Sequence, residues 1–232
     1  MPTEPTPISP FTSNGAPRIP IAVLLVDDHP AVRAGARMLI DDQPDMTVVA
    51  EARSAEEALG QPELPVDVAV VDYHLGDGHD GLWLTTELKR MEKPPRVLIY
   101  STFADNALAV IAPIAGADGL LDKRELGEGL CSAIRRLARG QQHLPAIMSP
   151  LANALRSRLT ARDQAIFSML LHGTPPDVIV QQLGITHDEL TVRRSTILRS
   201  LKPARGTMAR ASGAHGPLDY ERSRRAARRW AA

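Results

Sequence analysis

Two stretches, Ile21–Val26 and Val66–Val71, are apolar runs rich in valine, interrupted only by Asp67. Runs of that kind suit central strands covered on both faces. Met46–Ala50, Arg96–Tyr100 and Gly119–Leu121 read as three further short strands. Between the five lie amphipathic stretches, Val32–Ile40, Ala55–Leu59, Leu82–Met91, Ala107–Ile114 and Leu126–Leu137, the last with Leu126, Leu130, Ile134 and Leu137 at helical spacing. Parallel strands need crossover helices, so this alternation predicts an α/β unit with a doubly wound, five-stranded parallel sheet over residues 21–140.

The remainder divides by composition. Residues 1–20, rich in Pro, Ser and Thr, read as a disordered leader, and 141–158, punctuated by Pro145 and Ser149-Pro150, as a linker holding a short helix near Leu151–Leu155. Residues 159–202 read as a small all-α unit, and 203–232, dominated by Ala, Gly and Arg, as a flexible basic tail. In that tail Arg222, Arg225 and Arg229 would share a helix face, either as a solubilising segment or as an auxiliary phosphate-binding arm.

Charge sharpens the division. The 27 basic and 27 acidic residues cancel, which excludes a uniformly basic coat for nucleic acid. Acidic pairs such as Asp41-Asp42 and Glu56-Glu57 lie early, whereas Arg193, Arg194 and Arg199 lie late, so an anionic partner is expected for the C-terminal part alone. The single cysteine, Cys131, excludes an intrachain disulfide and suits a reducing cytoplasm, where it would be an inert core residue. No secretory signal and no membrane span are expected, because the longest apolar run, Ile19–Val26, is far too short to cross a bilayer.

In an open parallel sheet, ligands sit at the carboxyl ends of the strands. There the sequence places Asp27-Asp28 after the first strand, Asp72 after the third, Ser101 after the fourth and Lys123 after the fifth. Each has an ordinary alternative. Asp28, Asp72 and Ser101 could cap neighbouring turns or helices, and Lys123 could be a solvated end. Together, three like charges repel and raise one another's pKa. A hard divalent cation such as Mg²⁺ would relieve this. A carboxylate so placed can attack a phosphoryl donor, with a lysine, a hydroxyl and a cation stabilising the transferred group. Asp72, alone at the end of a central strand, is the expected nucleophile, and Asp27 and Asp28 the metal pair.

The segments VLLVDDHPAVRAG, VVDYHLGDGHDG, VLIYST and GADGLLDK resemble, in order and separation, the receiver domains of two-component response regulators. The resemblance implies that Asp72 is the phosphoacceptor, Asp27 and Asp28 the acidic pair, Ser101 the switch hydroxyl and Lys123 the family's lysine. It implies further that the main-chain carbonyl of His74 is a metal ligand. Three departures stand out: Gly76 where proline is usual, Leu120 where an aromatic residue is usual, and a bulky Phe103 beside the site.

In the C-terminal part, Leu159–Leu171 reads as a helix closed by Gly173. Thr174 is expected to cap a second helix, and Gly184-Ile185-Thr186 to turn into a third over Leu190–Leu201. That is a helix-turn-helix pattern. The whole stretch is similar to the LuxR-type DNA-binding domain, which makes the chain resemble a NarL/FixJ-type response regulator. By position, Thr191, Val192 and Ser195 would meet base edges, and Arg193, Arg194 and Arg199 phosphates. Glu189, Thr191 and Arg194 depart from the family pattern, Arg194 standing where an apolar residue is usual.

The resemblance therefore implies a cytoplasmic transcription factor without enzymatic turnover, phosphorylated by a sensor histidine kinase, binding double-stranded DNA and forming a homodimer on activation. A phosphorylation-independent interaction module with a degenerate helix-turn-helix is the alternative from another class. An apolar face on the Ala107–Ile114 and Leu126–Leu137 helices is expected to serve that dimer.

Overall fold

The computed structural model describes residues 19–61, 65–76, 78–102, 104–125, 127–146 and 149–201. The leader's first 18 residues, the tail, Phe103 and Leu126 lie outside the described residues.

The α/β unit runs β1 (Ile21–Val26), α1 (Pro30–Asp41), β2 (Met46–Ala52), α2 (Ala55–Leu59), β3 (Val68–Val71), α3 (Gly81–Leu88), β4 (Arg96–Ser101), α4 (Asn106–Ala115), β5 (Gly119–Asp122) and α5 (Glu128–Ala138). The sheet is parallel throughout, in the order β2-β1-β3-β4-β5. Strand alternation sorts the core onto two faces. Val23, Leu25, Val68, Val70, Leu98 and Tyr100 pack with Ile40 of α1 and Leu130, Ile134 and Leu137 of α5. Leu24, Val26, Ala69, Val71, Val97 and Ile99 face α2, α3 and α4.

β3 begins two residues later than its apolar run, because the Asp67 side chain accepts the Ala22 N–H at 2.8 Å in place of a ladder partner. Cys131 is buried, and burial pushes its thiol pKa up, as suits an inert core residue. Among the described residues no helix is long and apolar enough to cross a membrane.

The helical unit comprises α6 (Ser149–Arg156), α7 (Ala161–Leu171), α8 (Pro176–Leu183) and α9 (His187–Leu201). Two expected starts are corrected. Thr174 does not cap α8, whose N-cap is Pro175; the Thr174 N–H bonds to the Met169 carbonyl at 2.9 Å and closes α7 instead. α9 starts three residues before Leu190, because the Thr186 hydroxyl accepts the Glu189 N–H at 3.1 Å and supplies an N-cap. Gly173 and Gly184 take the left-handed conformation that ends α7 and α8.

The two units share one apolar cluster. Every residue of α4 from Leu108 to Ala115 is buried. One side of the helix lies on α3 and β5, and α6, α7 and α9 cover the other. The cluster runs on into Phe167, Leu170, Leu190, Ile197 and Leu201. In this form the α4 part of the face expected to serve a dimer on activation is occupied by the chain's own C-terminal helices. The linker also engages the sheet. His143 donates its N–H to Asp118 and accepts that of Leu120, both at 2.9 Å, covering the free edge of β5.

Ile134, fully buried under the sheet, tests the packing. Ile134→Ala is expected to cost about 2–5 kcal/mol, read from urea unfolding at an unchanged denaturant slope.

Candidate functional site: an acidic cleft and a buried recognition helix

Strand order reverses direction at β1 and β3, and their carboxyl ends form one cleft. Asp27 follows β1 and Asp72 follows β3, both buried. Lys123, directly after β5, reaches between them: its Nζ donates to Asp27 Oδ2 at 2.6 Å and to Asp72 Oδ2 at 2.7 Å. The Lys123 side chain is only 9% exposed, so the two contacts are made in a weakly screened setting. Asp27 Oδ1 accepts the His29 N–H at 2.8 Å, and Asp72 Oδ1 accepts that of His74 at 3.3 Å. Burial raises the Asp72 pKa above its ordinary value, against the opposing pull of Lys123 and with a further push from Asp27. Ser101, at the end of β4, is almost wholly buried and pairs with Asp122 across the ladder. The structure thus brings together all five side chains expected from the sequence.

Asp28 lies at the mouth of the cleft, with its Oδ1 buried and without a hydrogen bond. His29 Nδ1 lies 2.6 Å from that oxygen, but not in hydrogen-bonding geometry. Ligand atoms of Asp27, Asp28, His29 and Asp72 all fall within 4.8 Å of one another. An orphaned carboxylate oxygen beside two buried carboxylates is a donor set that fits a hard divalent cation. His29 is the member that sequence reasoning passed over; its only signal was adjacency to the acidic pair.

The loop after β3 is shaped by its own residues. Gly76 has φ +69°, which the proline usual in relatives could not adopt. His79 Nδ1 donates to Glu56 Oε1 at 2.8 Å and the ring stacks on Trp83 at 3.6 Å, pinning the lengthened loop to α2 and α3. The His79 ring holds the Glu56 carboxyl well below the usual range, at about 2. At the loop's end, a Cβ on Gly81 would lie 2.1 Å from the Asp72 carbonyl oxygen. Leu120, in the position usually aromatic, is buried in the sheet.

In the helical unit the six expected DNA-contacting residues divide. Val192 is 63% exposed, Arg199 is exposed, and Thr191 and Ser195 are half-buried, the Ser195 hydroxyl donating to the Thr191 carbonyl at 3.0 Å. Arg193 is held within the unit, donating to the buried Asp163 at 3.0 Å and to Glu189 at 3.0 Å. Arg194 points toward the α/β unit, its Nη1 3.6 Å from where a Gly116 Cβ would stand. The signal for this seam was in α4, where NALAVIAPIA offers no polar face.

The sheet and its carboxylate–lysine cleft define a receiver domain, and the receiver-domain family of response regulators matches residues 23–135. The chain is 31% identical to the nitrate/nitrite response regulator protein NarL of Escherichia coli K12, over 79% of this chain and 90% of that protein. It is 34% identical to the transcriptional regulatory protein UhpA of Salmonella typhimurium LT2, over 78% and 91%. A crystal structure of a LuxR-family two-component response regulator from Aurantimonas sp. SI85-9A1 superposes with a TM-score of 0.50 at 35% identity, over 57% of this chain and 91% of that one. The chain belongs to the NarL/FixJ family of two-component response regulators.

Gly81→Ala is expected to drive the start of α3 off the Asp72 backbone, destabilising the fold by about 1–3 kcal/mol. The thermal midpoint should fall, and divalent-cation affinity, followed by isothermal titration, should weaken with it.

Proposed function

We propose that this chain is a transcription factor that binds duplex DNA and is controlled by phosphorylation of Asp72. The observation that carries the reading is the placement of Lys123 between two buried carboxylates, Asp27 and Asp72, whose oxygens lie within 4.8 Å of Asp28 and His29 ligand atoms. The division follows the compositional one: a receiver over 21–140, a linker over 141–158 and a DNA-binding unit over 159–202.

Asp72 attacks the phosphorus of a sensor-kinase phosphohistidine or of a small acyl phosphate, and the donor's oxygen or nitrogen leaves with the bonding electron pair. Mg²⁺ held by Asp27, Asp28, Asp72 and the His74 carbonyl would neutralise charge on the phosphoryl oxygens. Lys123 is placed to exchange its Asp72 contact for a phosphoryl oxygen, and the Ser101 hydroxyl to donate to another. His74 and Asp72 share one short turn, so the carbonyl ligand is set by the same backbone as the nucleophile. The chain acts as the substrate of this transfer and performs no turnover on another molecule. That chemistry belongs in the cytoplasm, where kinase and DNA are both available.

Output runs through α4. Ser101 ends the strand immediately before the segment that leads to α4, and Asp105 caps that helix by accepting the Ala107 and Leu108 N–H groups at 3.0 and 2.8 Å. A Ser101 drawn toward the phosphoryl group moves the base of α4 and with it the seam to α6, α7 and α9. Val192 and Arg199 are already exposed; release of α9 would free Thr191 and Ser195 to meet base edges with Val192 while Arg199 takes a phosphate, and Arg193 would join them only by leaving Asp163. The uncovered α4 surface then becomes available to a second copy, and a homodimer would set two half-sites about one helical turn apart.

Incubation with an acyl phosphate and Mg²⁺ is expected to add one phosphoryl group by intact mass, and Asp72→Asn to abolish it. Uptake persisting in that variant would place the acceptor elsewhere. On duplex DNA, Arg199→Ala is expected to flatten the slope of log affinity against log salt by about 0.9, the contribution of one phosphate contact. An unchanged slope would remove Arg199 from the interface.

A further inference from the structure

Arg194 is the one member of the expected DNA-contacting set that faces the receiver. It lies on the same stripe of α9 as Leu190, Ile197 and Leu201, all buried. Its Nε is buried without a hydrogen-bond partner, and no ion pair of Arg194 is found among the described residues. Its surroundings are already cationic. Gly116, which ends α4, is flanked by Arg194 Nη1 on one side and the Lys89 side chain on the other. The nearby carboxylate, Asp118, is fully engaged: it accepts from Lys89 Nζ at 2.6 Å, from Arg96 at 2.8 Å and from the Val97 N–H at 2.8 Å. Two cations therefore already share that carboxylate, and among the described residues none is left to pair with Arg194. Burial pulls the Arg194 pKa below its ordinary value, and burial also lowers that of Lys89, where Arg96 and Arg194 add to the effect against Asp118.

A half-buried cation whose Nε is withdrawn from solvent and has no partner among the described residues opposes the closure that the surrounding apolar residues favour. The structure assigns a double role to Arg194: in the closed form it is an uncompensated charge that loosens the α4–α9 seam, and in the open form it takes a DNA phosphate as the anion it lacks. This deepens the DNA-binding reading above and rests on it. DNA then competes with α4 for the same side chain, so a single residue biases the domain equilibrium toward release and rewards it with a charge-assisted contact. A small apolar residue at this position would make the seam tighter and the regulator harder to open.

The test uses the full chain, unphosphorylated, with hydrogen exchange of the α4 amides and binding to a mixed-sequence duplex as separate readouts. Arg194→Met keeps the length of the side chain and removes its charge. It is expected to slow α4 exchange by about tenfold, as one decade of added closure, and to weaken duplex binding by at least about tenfold. Arg199→Met, on the exposed side of α9, is expected to weaken duplex binding and leave α4 exchange unchanged. Unchanged or faster α4 exchange in Arg194→Met overturns the proposal, because Arg194 would then be neutral toward the closed form or support it. Should that variant misfold, Arg194→Gln decides by the same criterion, slower exchange supporting the proposal and unchanged or faster exchange overturning it. Failure of the wild type to bind the duplex even with beryllofluoride and Mg²⁺ present would instead overturn the DNA-binding reading, and it appears in the other assay.

Discussion

Helix α4 has no polar face, and a helix of that composition is stable only if every side is covered. The sheet and α3 cover half of it, and the chain's own C-terminal helices cover the rest. That constraint joins the two units. It also places the recognition helix α9 against the receiver, because α9 carries an apolar stripe of matching length. The helix-turn-helix is therefore held by the same side chains that complete the receiver's core. Any event that moves the base of α4 acts on both.

The acidic cleft sits where such an event can start. A doubly wound sheet brings the ends of β1, β3, β4 and β5 to one edge, and three kinds of group meet there. Lys123 ties Asp27 to Asp72 across three strands, so the cleft is closed by charge contacts that an incoming phosphoryl group would replace. Asp28 is left with a buried oxygen that lacks a hydrogen bond, which fits a cation rather than a structural role. Ser101 connects the cleft to α4 through a short segment capped by Asp105. The linker adds a second connection, since its pairing with β5 lies three residues from Lys123.

Much of this was legible in the residues. Apolar runs ending in Asp27, Asp72, Ser101 and the segment before Lys123 pointed to both the sheet and the site, because parallel strands force their ends together. Element ends were less legible where a side chain replaces a backbone partner, as Asp67 does before β3 and Thr186 does before α9. The seam was missed for a different reason. An apolar helix face states that something covers it but not what, and a second copy and the chain's own α9 satisfy the same hydrophobic requirement. Arg193 and Arg194 show the same limit: adjacent arginines on one helix look alike in sequence, yet one completes an ion-pair network with Asp163 and Glu189 while the other has a buried Nε and no anion among the described residues.

The central claim is that a phosphoryl group at Asp72 loosens the seam between α4 and the C-terminal helices. Small-angle scattering of the full chain, with and without beryllofluoride and Mg²⁺ as a phosphoryl mimic, addresses it directly. The radius of gyration extrapolated to zero concentration should rise on addition of the mimic, and Ser101→Ala should suppress the rise while still binding the mimic. An unchanged radius in wild type saturated with the mimic would contradict the coupling of cleft to seam.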